Sequence, residues 1–196
     1  MPLRTEITHE IDIEVPLTLP FFLKNIELVG KDNKFDWCWA ACAVMVMRYL
    51  KVDWREEQDL HKLLCERVAN IATKDGVRLA DHGSCCPPSQ CDTALSAKDI
   101  TVLWEDLLNH APKPQHQSIF DDPDALSKAL VDELKNNQKP VEVGLRESNR
   151  VGHLVIIFGC NEAEKLFYVL DPDEAMTIIP SSILFERCDT LWFDLK

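Results

Sequence analysis

The chain has 196 residues, 21 of them basic and 33 acidic, for a formal net charge of −12. That length is ample for one packed domain, and an apolar content of 46% excludes a disordered chain. The acidic balance lacks the basic footprint of a nucleic-acid binder and argues against docking on an anionic membrane.

A secretory leader needs a basic start and an unbroken apolar run. The uncharged stretch 15–23 is broken by Pro16 and Pro20 and follows Glu6, Glu10, Asp12 and Glu14. The apolar run 154–160 is far shorter than the ~20 residues that span a bilayer. The expectation is a soluble, cytoplasmic protein, or one secreted by a route without a signal peptide.

In chain order, residues 11–23 suggest an extended arm or edge strand carrying two prolines. A polar loop, 30–36, leads into 37–50, rich in Ala, Met and Leu and apolar on every face except at Arg48. Such a helix is a buried one. Asp36 is its N-cap candidate, which puts Cys38 in the first turn. Asp53 and Glu56 resemble a capping box, and Leu60, Leu63, Leu64 and Val68 then follow helical spacing. Residues 73–92 read as a loop holding Cys85, Cys86 and Cys91. Ser96 and Asp99 can cap a helix carrying Trp104, Leu107 and Leu108. Residues 111–124, with three prolines, read as a crossover between two lobes. Asp122 and Pro123 supply an N-cap and a proline at the first helical position, ahead of a stripe of Leu126, Leu130 and Leu134. The last third changes character: 141–145, 154–158, 166–170, 177–179 and 191–195 are short β-type runs separated by turn residues. Helices first and an antiparallel sheet second make an α+β pattern.

Two places can do chemistry. A thiol in the first turn of a helix lies at the positive end of the backbone dipole, which favours the nucleophilic thiolate. Cys38 holds that position between Trp37 and Trp39. Further on, folding a hairpin about residue 162 sets His153 opposite Asp171. Residues opposite one another in an antiparallel pair share a face, so Asp171 can hold one ring nitrogen of His153 and leave the other for a thiol. That is a nucleophile, base and orienter arrangement. A register slip of one residue would undo it. His61, His110 and His116 lack such a context. The eight cysteines do not imply a disulfide framework, an inference suited to short secreted chains. Cys42 and Cys160, inside apolar runs, read as buried thiols. His82, Cys85, Cys86 and Cys91 have donor types that suit zinc, but their spacing matches no common zinc motif. No metal is assigned.

The run Trp37-Cys38-Trp39-Ala40-Ala41-Cys42 resembles the nucleophile helix of papain-like cysteine proteases. With Asp36 in front, it is most similar to the bacterial branch containing the avirulence proteases of plant pathogens. The double-glycine leader peptidases are more distant relatives. Further matches follow in the same order: Cys85-Cys86 with Cys91-Asp92, Lys139-Pro140-Val141 with Gly144, Gly152-His153-Leu154-Val155, and Tyr168-Val169-Leu170-Asp171-Pro172. The resemblance spans roughly residues 12–195. It implies a single papain-like catalytic domain over 1–196, with a helical lobe at about 24–110 and a sheet lobe at about 125–196 plus the N-terminal arm. Cys38, His153 and Asp171 are the implied catalytic residues, acting on a protein or peptide substrate without a cofactor.

One departure stands out. The family usually places a Gln about six residues before the nucleophile, where its amide holds the oxyanion. Asp32 is there in this chain, with Asn33 next to it. A carboxylate cannot donate, and losing one such donor costs about 3 kcal/mol of transition-state stabilisation. Asn33 is therefore the expected donor, together with the Cys38 backbone N–H. The rival readings are an acyltransferase or transglutaminase-like enzyme with the same triad, and a non-catalytic binding module on the same fold, for which Asp32 is the main argument.

Overall fold

The structure, a computed structural model, describes residues 20–28, 38–51, 95–108, 112, 114–147 and 150–195. The run of strong helix formers after the first polar loop forms α1 (Cys38–Tyr49), buried from Cys38 to Met47 and exposed at Arg48. A helix apolar on all sides has no face to give to water, so α1 sits in the core. It ends where Lys51 takes a left-handed φ of 53°. Its N-cap candidate Asp36 and the segment holding Asp53, Glu56 and the loop cysteines lie outside the described residues.

Helix α2 (Ala97–Leu108) starts with a reciprocal cap. The Asp99 N–H donates to Ser96 Oγ at 3.3 Å, and the Ser96 N–H donates to the Asp99 carboxylate at 3.0 Å. Ile100, Leu103, Trp104 and Leu107 form its buried stripe. Helix α3 (Pro123–Val131) follows Asp122, whose side chain accepts from the Ala125 N–H at 2.8 Å. A π-helical turn (Asp132–Asn136) continues it, so that Leu126, Leu130 and Leu134 all reach the core.

The strands are β1 (Phe21–Phe22), β2 (Pro114–His116), β3 (Val141–Glu147), β4 (Arg150–Asn161), β5 (Leu166–Asp171), β6 (Ala175–Pro180) and β7 (Cys188–Trp192). Among the described residues they make one seven-stranded sheet in the order β2-β7-β3-β4-β5-β6, antiparallel throughout. β1 pairs with Gly159 and Cys160 of β4, continuing the row that β3 leaves at Ile157. A short helix α4 (Ser181–Arg187) joins β6 to β7.

Three expectations need correction. The segment read as a crossover contributes β2, paired with β7 from Pro114↔Trp192 to His116↔Thr190. The final strand lies at Cys188–Trp192 rather than 191–195, because Asp194 takes a left-handed φ of 61° and the ladder cannot continue through it. Helix α4 was not anticipated; its seven residues are too few to show a full period.

Candidate active site

Helix α1 lies against β4, and two thiols on successive turns mark the contact. Cys38 Sγ donates to the Gly152 carbonyl at 3.4 Å, and Cys42 Sγ donates to the Leu154 carbonyl at 3.3 Å. One helical turn and two strand residues both advance about 6 Å, so the helix keeps step with the strand. Cys38 is thereby set beside the residue that precedes His153. Cys38 is the first described residue of α1.

His153 Nε2 lies 2.7 Å from Asp171 Oδ1, and both residues are buried. The hairpin that brings them together is not in the expected register. Near the turn the pairs are Asn161↔Leu166, Cys160↔Phe167 and Gly159↔Tyr168; beyond it they are Ile157↔Val169 and Ile156↔Leu170. Phe158 is an extra residue on β4, a bulge. Continuing the inner register sets Asp171 opposite Val155, so His153 is its diagonal neighbour two residues on and shares its face. Without the bulge Asp171 would fall opposite Ile156, with His153 on the other face. The expected direct pairing is off by two residues, and the shared face survives because the side-chain period is also two.

Three influences act on the imidazole. Burial, the largest, favours the neutral ring and lowers its pKa. Hydrogen bonds to Asp171 and to Cys38, and the charges of both, outweigh burial and raise it to about 10. Burial pushes the Asp171 carboxyl upward, but its hydrogen bond to His153 and the backbone N–H groups of Asp173 and Glu174 bring it below the usual carboxylate range. The Asp173 N–H donates to Asp171 Oδ1 at 2.8 Å, so Asp171 accepts from both sides. Because Nε2 is taken by Asp171, Nδ1 is the nitrogen available to Cys38. Asp173 Oδ2 also approaches Nδ1, at 3.6 Å.

Cys42 is a different kind of thiol. Burial, then the nearby Glu142 charge, holds its pKa well above the ordinary value. Cys160 and Cys188 are likewise free and buried. Among the described residues, the group with metal-ligand donor types close together is His153, Asp171 and Asp173. Its members are already joined by the hydrogen bonds just described. Asn33, Asp32, His82, Cys85, Cys86 and Cys91 lie outside the described residues.

Two site features escaped the sequence reading. Asp173 has a local signal, since Asp171-Pro172-Asp173 is a turn pattern in which a side chain caps a backbone N–H two residues on. The Gly152 carbonyl as the anchor of Cys38 has none, because the two residues are 114 apart in the chain.

No curated protein sequence is a significant match to this chain. Solved structures that share its fold include two described as peptidase or protease domains. One is the peptidase domain of Streptococcus ComA, a bifunctional ABC transporter of a quorum-sensing pathway. Its TM-score is 0.50 at 12% identity, with 87% of this chain and 99% of that chain covered. The other is a double glycine motif protease from an AMS/PCAT transporter, solved in complex with the leader peptide. Its TM-score is 0.50 at 16% identity, with 87% and 94% covered. These likenesses show the α+β papain-like fold. The family described as papain-like cysteine protease AvrRpt2 matches residues 22–182, most of the chain and all of α1 through β6. The chain belongs to that family and is a papain-like cysteine peptidase.

Proposed function

We propose that this peptidase hydrolyses peptide bonds of a protein or peptide substrate with Cys38 as nucleophile, His153 as general base and acid, and Asp171 as the group that orients the imidazole. The observation that carries the reading is the 2.7 Å contact from His153 Nε2 to Asp171, which leaves Nδ1 for the thiol. Cys38 Sγ, its proton already resting on Nδ1 in a thiolate–imidazolium pair, attacks the scissile carbonyl carbon. The tetrahedral oxyanion accepts from the Cys38 backbone N–H and from Asn33. The imidazolium then protonates the leaving amine as the C–N bond breaks, and a thioester remains on Cys38. Water, deprotonated by His153, attacks the thioester carbonyl and releases the acid. That a protein of the same fold holds a leader peptide supports a peptide substrate.

Labelling the full chain with an epoxide inhibitor of thiol proteases, read by mass spectrometry, tests the nucleophile. The label falls on Cys38, and Cys38→Ala takes none and cleaves nothing. A label on Cys42, Cys160 or Cys188, or full turnover in His153→Ala, overturns the triad. Two products that together gain one water mark hydrolysis rather than acyl transfer to an amine.

A further inference from the structure

The imidazole of His153 changes charge twice in the proposed cycle. In the resting enzyme it is an imidazolium between two negative groups, Asp171 at Nε2 and the Cys38 thiolate at Nδ1. Once the amine has left, Cys38 is a neutral thioester. The ring must then take a proton from water with the thiolate's charge gone from Nδ1. A base that loses a neighbouring negative charge becomes a weaker base. Asp171 does not make good the loss, because it stays at Nε2 throughout.

A second carboxylate stands at that nitrogen. Asp173 Oδ2 lies 3.6 Å from Nδ1, and its side chain is 33% exposed against 9% for His153. At that separation the two interact by charge rather than by a direct hydrogen bond. Nδ1 thus remains open to the thiol, to the leaving amine and to water in turn. The β5–β6 turn sets the contact. The Asp173 N–H donates to Asp171 Oδ1 at 2.8 Å, so the residue that orients the ring also fixes the backbone of Asp173. Asp173 has a further interaction, which a carboxylate with about four lone-pair sites accommodates without giving up this one.

We infer that Asp173 is a positioning residue for the second half of the reaction: its carboxylate supplies at Nδ1 the negative charge that the thiolate supplies in the first half, and so strengthens His153 as the base that opens the thioester. This rests on the hydrolase reading above and goes beyond it. In that step water gives one proton to Nδ1 while its oxygen bonds to the thioester carbonyl carbon. The tetrahedral intermediate expels Cys38 as thiolate, the C–S bond breaks and the acid leaves. The proton on Nδ1 restores the resting pair. The same charge makes the imidazolium a weaker acid toward the leaving amine, so Asp173 favours thioester hydrolysis and not thioester formation.

The test follows the full chain in stopped flow with a peptide p-nitrophenyl ester. The burst of nitrophenolate reports thioester formation, and the steady phase that follows reports thioester hydrolysis. Asp173→Asn keeps the backbone N–H that Asp171 holds and removes the charge. It slows the steady phase on the order of fivefold, as expected for one charge pair at a partly open site, while the burst keeps its rate. In steady state kcat and KM fall together and kcat/KM holds. Asp173→Glu, for which the adjoining cavity of about 270 Å³ has room, recovers part of the steady rate. A steady phase equal to wild type, a fall in both phases, or a fall in burst amplitude alone overturns the role given to Asp173 and leaves the hydrolase reading standing. Release no faster than that from Cys38→Ala overturns both.

Discussion

At His153 burial and charge pull in opposite directions, and charge wins. With a pKa of about 10, the ring is protonated at neutral pH and pairs with Asp171 and Cys38. The alkaline limb of kcat/KM therefore lies near pH 10. Asp171→Asn removes the charge but keeps an orienting oxygen, so turnover persists at a reduced level while that limb moves down by about a unit or more. A limb that stays put would show that Asp171 does not set the ring's charge. Stability follows the same pair. The His153 contribution is fully present below its ordinary value of 6.5 and lost as pH rises toward about 10. The Asp171 contribution is present above its ordinary 3.8 and lost as pH falls through its lowered value. The stability gap between wild type and Asp171→Asn is thus widest between about pH 4 and 6.5 and narrows on both sides, as urea midpoints across pH can check. Cys42 behaves otherwise. Cys42→Ser puts a hydroxyl where a fully buried thiol stood, costing about 1–2 kcal/mol of stability while epoxide labelling of Cys38 continues. The meeting of His153 with Asp171 was legible beforehand, because both lie on the two strands of one hairpin. Asp173's approach to Nδ1 was not, since it depends on the path of the turn.

The elements explain why the site holds together. β4 carries the Phe158 bulge, and that extra residue puts His153 and Asp171 on one face. Just beyond it, Gly159 faces β1 at close range. An added Cβ would meet the Phe21 carbonyl oxygen at 2.6 Å and the Phe22 ring at 2.7 Å. One of these is backbone and cannot swing aside. Phe22 is in turn packed against Tyr168, with ring centroids 4.5 Å apart. Gly159→Ala should cost about 1–3 kcal/mol and loosen the arm, seen as a lower Tm and faster proteolysis around residues 20–23. An unchanged Tm would mean that β1 contributes nothing to the sheet. Helices α1, α2 and α3 could be read in advance because apolar spacing and caps are local. β2 and α4 could not: Pro114–His116 is a strand only because β7 lies beside it, and α4 is too short to show periodicity. A bulge likewise has no local mark, since it is a mismatch between two strands.

Across the whole molecule, the helices and the sheet meet at a buried acid. Glu142 of β3 is 1% exposed and accepts a 2.5 Å hydrogen bond from Trp104 Nε1 of α2. Burial raises its pKa to about 8, and the indole N–H opposes that only in part. Stability from this group is fully present below the ordinary carboxylate value and lost as pH rises through about 8. Glu142→Gln keeps an acceptor for the indole without the charge. Its advantage over wild type should grow from about pH 5 to 8 and then level off, which denaturation midpoints at a series of pH values would show. A pH-independent difference would place the effect elsewhere. Trp104→Phe removes the donor and lowers stability at every pH, most where Glu142 is ionised. By itself the sequence determined the buried helix α1, the sheet-rich last third and the leucine stripe of α3, because each is written in neighbouring residues. Only the tertiary structure decided which ring nitrogen of His153 Asp171 holds, that Phe158 bulges, that Glu142 is sealed in and that a cavity opens beside His153. Each depends on how segments distant in the chain meet, as Cys38 and Gly152 do across 114 residues, and local pattern carries no information about distances of that kind.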